Sequence, residues 1–560
     1  MSQGTQKRVV FIGIDGATWK LIEPMVAEGK LPNLARLVRE GSSGVLESTT
    51  PINSSVAWSD FMTGTHAGKH GVFFFREQRH GSYVRPVISF HSIKAPTLWR
   101  LVSEHDKTVA VVTFPLTFPL EKLPNVAMVG GLLTPDRNSD FIYPPELRSA
   151  MEEAIGDLPS DNEPEKLFLT ANLEAARDSL LHVTEQITRM GEFIVENAKP
   201  DLFALVFRGV DLASHQGWCF QDPEWAKDNP ELAKRYGHLL SFMYELVDES
   251  LGRLLEKVKE LDGQVSIGLC SDHGFGPITH RFFLNKWLVD NGYLVLKKKS
   301  GSGAKLKMLV QKKWIGLLRR TGLLTKLEAK GKIKLVGQEQ VIQDMIDWSK
   351  TRAYSTFTGG EDIVLINLKG REPEGTVEPG AEYEQLRDEI IAGLKKVKTP
   401  EGETLITRIF KREELWAGPN LEQAPDIQFV PLDGSVNMAA NPVHSCVIEP
   451  AVEGRPAMHR RDGIYIWHGE GVIKSGFRQD GPVIADMAPT ILHLLGLPVE
   501  DYMDGKVMEG VLEDPYRAAN PIQVREGHVD LQAEKSKQSA MSAEDEAKLV
   551  ETMQALGYME

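Results

Sequence analysis

Short apolar runs that stop abruptly in polar residues recur along the chain, at Val9–Ile14, Leu202–Phe207, Val265–Cys270 and Ile464–Trp467. Runs this brief and this uniformly apolar predict buried strands of a parallel sheet. Between them the period changes. Pro32–Glu40, Leu173–Asn197 and Leu232–Leu261 repeat apolar residues at helical spacing. Alternating strands and helices predict an α/β fold on a doubly wound sheet with helices on both faces.

At 560 residues, the chain exceeds one small core and predicts a large core with insertions. We expect the main core at 1–290 and 456–515 and an inserted α+β cap at 346–455. Within the cap, Ile363–Leu368 reads as a strand and Glu382–Val397 as a helix. Residues 516–560 read as a tail, its polar stretch Gly527–Lys548 loosely held. The segment 291–345 differs in charge. Lys297–Lys334 holds thirteen Lys or Arg and one acid, Glu328, in a chain of net charge −14. Leu306, Leu309, Val310, Trp314, Leu317 and Leu318 recur between those cations at helical spacing. This basic amphipathic insertion predicts a cap helix, an electrostatic funnel for an anionic substrate, or peripheral contact with an anionic membrane.

Composition narrows the class. The acidic balance argues against nucleic acid as a partner. Cys219, Cys270 and Cys446 are the three cysteines. Their wide spacing argues against a thiolate metal site or a disulfide framework and suits a reducing compartment. With no apolar stretch of membrane-spanning length, the expectation is a soluble cytoplasmic protein.

The candidate chemistry lies where strands end. Asp15-Gly16 closes the first strand, where ligands gather in open α/β sheets. The plain alternative is that Asp15 caps the next helix. After Pro51, Ser54 or Ser55 opens a helix running to Met62. A hydroxyl there feels the positive end of the helix dipole, and the plain alternative is again a cap. Asp211 and His215 stand four apart after the second strand, a spacing that puts both on one helical face to chelate a zinc-like ion or to form a solvated ion pair. Asp272-His273-Gly274 follows the third strand, and burying that pair invites a metal. His459 lies in a polar segment and alone reads as a surface histidine. His66, His70, His280, His444 and His468 could line the cleft or be structural, and His70-Gly71 reads as a turn.

Taken in order, Gly13-Ile14-Asp15-Gly16, Thr50-Pro51 with Ser54, Thr63-Gly64 and Gly71, Asp211-x3-His215, Ser271-Asp272-His273-Gly274 and His459 resemble the type I phosphodiesterase / nucleotide pyrophosphatase family of the alkaline-phosphatase superfamily. Asp486–Pro498 resembles that superfamily's final helix. The resemblance implies an alkaline-phosphatase-like fold and a metal-dependent phosphoric ester hydrolase acting on a small anionic phosphoester. It implies one metal held by Asp211, His215 and His459, and another by Asp15, Asp272 and His273. Ser54 stands ten positions before Gly64, the family's spacing for its nucleophile, which selects it over Ser55 and implies a phosphoserine intermediate with Ser54 also on the metal. Zinc is implied at both sites, and the harder second set also suits manganese or iron. Two departures stand out. The nucleotide-cleaving members usually carry an Asn shortly after the matching His-Gly, where this chain has Val72-Phe73-Phe74-Phe75, with Asn53 as a candidate substitute. No pattern reads as a nucleoside pocket. A phosphomonoesterase, phosphonate hydrolase or phosphomutase of the same superfamily is the nearest alternative. A sulfatase ranks lower, since Ser54–Trp58 lacks the Pro and Arg of its motif. The alternative from another class is a non-catalytic metal-binding protein.

Overall fold

The computed structural model describes residues 6–164, 173–297, 338–357, 360–451 and 457–528, with 545, 548 and 549. The basic amphipathic stretch beyond Lys297 and most of the tail lie outside these residues. Among the described residues, no helix is long and apolar enough to cross a membrane.

Along the chain the first strands are β1 (Lys7–Ile14), β2 (Ser42–Glu47), β3 (Val109–Phe114), β4 (Val126–Gly130), β5 (Ile142–Tyr143), β6 (Leu202–Phe207) and β7 (Gln264–Cys270). Two short strands follow, β8 (Gly274–Pro277) and β9 (His280–Phe282). Then β10 (Ala353–Tyr354), β11 (Ile363–Ile366), β12 (Ile406–Lys411) and β13 (Ile427–Pro431) form a separate four-stranded sheet, order β10-β11-β13-β12. β14 (Val436–Met438) and β15 (Ile448–Pro450) flank β9, and β16 (Ala457–Arg460) pairs with β8. β17 (Asp462–His468) and β18 (Phe477–Arg478) return to the large sheet, whose order is β18-β2-β17-β7-β1-β6-β3-β4-β5.

The sheet's middle, from β7 through β1, β6 and β3 to β4, is parallel, as the apolar runs predict. The run Ile464–Trp467 departs from that expectation: β17 is antiparallel to both β2 and β7. Its residues are buried regardless. Burial on both faces makes a strand uniformly apolar in either direction, so hydropathy does not report its sense. The helices at Pro32–Glu40 and Leu173–Ala198 match their periodic patterns. The pattern at Leu232–Leu261 is two helices, Pro230–Tyr236 and Leu239–Val258. Gly237 lies at the break, its N–H closing on Ala233 O, because glycine lacks the helix propensity to carry the pattern through. In the insert, the strand Ile363–Ile366 and the helix Ala381–Leu394 both stop short of their predicted ends.

Among the described residues two large apolar cores result, beside a small cluster of Cys219, Phe220 and Tyr236. One packs both faces of the large sheet, and the other surrounds the four-stranded sheet with Ile363, Leu386, Ile390, Ile427 and Phe429. The helix α1 (Trp19–Ala27) follows β1, α2 (Pro32–Glu40) precedes β2, and α3 (Ser54–Thr63) follows β2. α3 touches both cores: Val56 belongs to the second, Ala57, Trp58 and Phe61 to the first. All ten of its residues are therefore buried, as for a helix packed on every side. Burying Trp58 and Phe61 contributes about 1.5–3 kcal/mol each. Gly13 makes the close packing possible, because a Cβ there would lie 2.6 Å from the Trp58 ring.

Candidate active site

The strand register decides where the chemistry goes. Gly13 of β1 lies opposite Val206 of β6 and Cys270 of β7, and Ile14 opposite Phe207. Three adjacent parallel strands thus leave the sheet together, and the next residues are Asp15, Arg208 and Ser271. The Asp15 N–H donates to Phe207 O at 2.9 Å. Gly16 then turns with φ +71, and a Cβ there would meet the Phe275 ring at 2.9 Å. Only glycine suits both the backbone and the space. The Gly16 N–H donates to Asp272 Oδ1 at 3.2 Å, joining two of these strand ends.

The plain alternatives for these residues fail. Thr18, not Asp15, caps α1. Asp211 and His215 ride one turn apart on the helix Gly209–Gly217 and are 3% and 7% exposed, so they are no solvated pair. Asp272 and His273 are fully buried. His459 is buried as well, against the surface position a lone histidine suggests, because β16 pairs with β8 and sets His459 opposite Phe275. Ser54 is the first residue of α3, and Asn53 is the cap, its Oδ1 accepting from the Ser55 N–H at 3.0 Å and from the Ser55 hydroxyl. Ser55 is thereby tied into the cap, while Ser54 Oγ lies 3.0 Å from His273 Nε2. Asn53, the candidate replacement for the missing Asn, commits its carbonyl oxygen to capping and keeps only its NH2 for other work.

Two clusters of ligand atoms are contiguous, and Ser54 meets one of them at His273. Asp211, His215 and His459 form one, and Asp15, Asp272 and His273 the other, each with its three atoms within 4.8 Å of one another. His215 Nε2 and His459 Nε2 are 3.0 Å apart, and lie 3.5 and 3.6 Å from Asp211 Oδ1. His273 Nε2 lies 3.3 Å from Asp272 Oδ2 and 3.7 Å from Asp15 Oδ1. Ligands on a tetrahedral zinc-sized ion stand roughly 3.4 Å from each other. The atoms facing the histidines, Asp15 Oδ1, Asp211 Oδ1 and Asp272 Oδ2, are also buried with no hydrogen-bond partner among the described residues. Such orphans cost free energy unless a cation meets them. The opposite oxygens are occupied: Trp58 Nε1 donates to Asp15 Oδ2 at 3.1 Å, and Gly16 N to Asp272 Oδ1. The imidazoles follow the same rule. His273 Nδ1 lies 3.1 Å from Gly274 O, His459 Nδ1 lies 3.4 Å from Ile52 O, and the Ala457 backbone bonds His215. A ring that donates from Nδ1 to a carbonyl presents a lone pair at Nε2. The residues fit divalent metal.

Electrostatics agree. Burial, reinforced by the charges of Asp272 and Asp211, pushes the Asp15 carboxyl well above its ordinary range. Burial and the Asp211 charge push Asp272 up to about 6. Burial pushes His215 down to about 4 and His273 well below its ordinary value, so both rings are neutral at pH 7, the ligating form. Three carboxylates crowded in low dielectric repel one another, and a bound cation relieves that repulsion. Asp211 Oδ1 is 4.0 Å from His273 Nε2, and the rings of His273 and His459 stack at 3.6 Å, so the two clusters are contiguous.

Two contributors escape sequence reasoning. Trp58 stands one helical turn beyond Ser54, and that i+4 spacing was the available signal. Arg208 is buried at the start of the Asp211 helix, its NH1 3.0 Å from Asp161 Oδ2 and 3.1 Å from Asn162 Oδ1, and its charge draws Asp15 downward against the burial. Three histidines left open by the sequence are structural. His66 and His70 hold the two oxygens of Asp60, at 3.0 and 2.7 Å, and His280 pairs with Glu401.

The model of the type I phosphodiesterase / nucleotide pyrophosphatase family matches residues 9–442. The chain belongs to that family. It is accordingly a hydrolase acting on phosphoric ester bonds, of the alkaline-phosphatase superfamily. The match contains six of the seven clustered residues and ends before His459, which the fold alone brings in. No curated protein matches the sequence. Among solved structures, phosphonoacetate hydrolase from Sinorhizobium meliloti 1021 in complex with phosphonoformate is 13% identical, with TM-score 0.52 over 88% of this chain and 95% of that chain. Its complex with phosphonoacetate gives a TM-score of 0.51 at the same identity and coverage. Human ectonucleotide pyrophosphatase / phosphodiesterase 5 is 12% identical, with TM-score 0.48 over 91% of this chain and all of that chain. At these identities the phosphonoacetate hydrolase likeness is one of fold.

Proposed function

We propose that the protein is a two-metal phosphodiesterase that cleaves a small anionic phosphoester through a covalent intermediate on Ser54. One observation carries this reading: three buried carboxylate oxygens without hydrogen-bond partners face three imidazole Nε2 atoms in two contiguous clusters, and the Ser54 hydroxyl lies 3.0 Å from one of those nitrogens, His273 Nε2. Asp211, His215 and His459 would hold one ion, and Asp15, Asp272 and His273, with Ser54 Oγ, the other. The first set suits zinc, and the harder second set also accepts manganese or iron. When bound, such ions supply Lewis-acid stabilisation of charge on the phosphoryl oxygens.

The chain's own residues do the rest. Asn53 takes the cap of α3, which frees the Ser54 hydroxyl at the positive end of the helix, where negative charge on oxygen is favoured. Attack forms the Oγ–P bond and breaks the P–O bond to the leaving alcohol. The adduct keeps its second ester group when the substrate is a diester. Water then forms a new O–P bond and breaks the Oγ–P bond, Ser54 regaining a proton from that water, and two in-line inversions give net retention at phosphorus. Trp58 and Gly16 hold Asp15 and Asp272 in orientation. The test is a panel of chromogenic diesters, monoesters and phosphonates with metal-stripped and zinc-restored protein. Zinc-dependent turnover fastest on a diester is expected. Turnover independent of metal overturns the reading, and a preference for phosphonate or monoester moves the substrate class.

A further inference from the structure

A third cluster of ligating groups lies away from Ser54. His444, Cys446 and Glu449 bring an imidazole nitrogen, a thiol sulfur and a carboxylate oxygen within 4.8 Å of one another. Cys446 Sγ is 3.6 Å from His444 Nδ1 and 3.9 Å from Glu449 Oε2, and His444 Nε2 is 3.9 Å from the same oxygen. The scaffold beneath is ordered. β15 pairs antiparallel with β9, setting Glu449 opposite Arg281, and the Phe283 N–H donates to Val447 O at 2.8 Å. The His444 ring stacks on buried Phe283 at 3.7 Å and 5°. Each group has one side supported and one side turned to the others. Arg281 NH1 is 3.4 Å from Glu449 Oε1, which leaves Oε2 toward the thiol. His444 Nδ1 lies 3.3 Å from Cys446 O, on the side of the thiol, and Nε2 lies toward Glu449. This is the same division of labour that orients the ligand atoms around Ser54.

We propose that His444, Cys446 and Glu449 form an additional site for a zinc-class divalent ion. Sulfur and imidazole donors select a borderline-soft cation over magnesium or calcium. One ligand atom from each residue lies within 4.8 Å of the other two, so closing onto such an ion, to edges of roughly 3.3–3.6 Å, asks the donors to approach by up to about an ångström. The side chains of His444 and Glu449 are 26% and 27% exposed, so ions reach the site from solvent. Three protein ligands leave a fourth position to water, the mark of an exchangeable site rather than a closed structural one. Binding deprotonates the Cys446 thiol, the sulfur bonds the ion, and the proton passes to solvent.

The experiment is cobalt titration of the metal-stripped full chain, read by thiolate-to-cobalt charge-transfer absorption. The clusters around Ser54 contain no sulfur, so this absorption reports the third site whatever becomes of the two-metal reading. The band should saturate at one thiolate-bound cobalt per chain, vanish in Cys446→Ser and weaken in Glu449→Gln. Because Cys219 and Cys270 are buried, Cys446 should dominate reaction with a thiol reagent, and saturating zinc, but not magnesium, should slow it about tenfold or more. Cys446→Ser should retain ester hydrolysis. Absence of the band in wild type, its persistence in Cys446→Ser, or equal thiol reactivity with and without zinc overturns the proposal.

Discussion

Replacing Trp58 with Phe separates support of the metal site from simple packing. Trp58 is fully buried, 5.1 Å from the Phe114 ring and 5.7 Å from Phe61, and its Nε1 donates to Asp15 Oδ2 at 3.1 Å. Phenylalanine keeps the aromatic packing and removes that donor. The lost volume costs on the order of 1 kcal/mol of stability. A hydrogen bond to a charged partner is worth about 1.5–3 kcal/mol, and removing an outer-shell partner typically weakens metal binding about 10–100-fold. Those two ranges agree, since each tenfold is about 1.4 kcal/mol. Zinc titration of metal-stripped Cys446→Ser protein, which lacks the third site's thiolate, should therefore show one of the two sites at Ser54 weakened about 10–100-fold, with the Asp211 site unchanged. Denaturant unfolding should show only the small packing loss. Unchanged affinity at both sites alongside reduced stability would refute the reasoning, because Trp58 would then be packing alone and Asp15 no ligand.

Four further outcomes follow. Ser54→Ala should lower kcat by several orders of magnitude with fold and metal content intact, whereas Ser55→Ala, which loses only its bond to Asn53, should change kcat by less than about tenfold. Asp211→Asn or His459→Ala should lose about one ion per chain by elemental analysis, and chelator inactivation should reverse on adding zinc. Arg371 donates to both oxygens of buried Asp426 at 2.8 and 2.6 Å, and without it that carboxylate keeps the neutral donors Ile366 N and Tyr383 OH, with Arg412 4.0 Å away, so Arg371→Met should cost about 3 kcal/mol in denaturant unfolding by removing its closest cation; a loss under about 1 kcal/mol would contradict this. Asp60 raises the pKa of His66 from 6.5 to about 9, a contribution complete below about pH 6.5 and lost as pH rises through 9. The Tm gap between wild type and His66→Gln should accordingly be widest at about pH 6 to 6.5, narrow as pH rises, and be nearly gone above pH 9.

Much of this was legible in the chain. The apolar runs located the strands because a buried parallel strand cannot carry polar residues on either face. Asp15, Asp211, His215, Asp272 and His273 were legible as candidates because each follows the end of a parallel strand, and the parallel register turns sequence-distant strand ends into spatial neighbours. What hydropathy lacks is direction and pairing. It did not show β17 as antiparallel, nor His459 on a strand of its own, since that strand's partner, β8, lies far away in sequence. Family spacing to Gly64 singled out Ser54, but the residues alone did not show that Asn53 is the cap, because which of three adjacent polar residues caps a helix depends on backbone angles: Asn53 is extended, with φ −152 and ψ 131. In the sequence Trp58 carries only its i+4 spacing from Ser54, and its indole N–H acquires meaning once α3 is laid across β1 and the N–H meets Asp15.

The most direct measurement of the central claim is acid-quenched mass spectrometry of zinc-loaded protein during diester turnover. The account predicts a phosphoryl adduct on the peptide containing Ser54, present in wild type and absent in Ser54→Ala. An adduct on a different residue, or full turnover by Ser54→Ala, would contradict it.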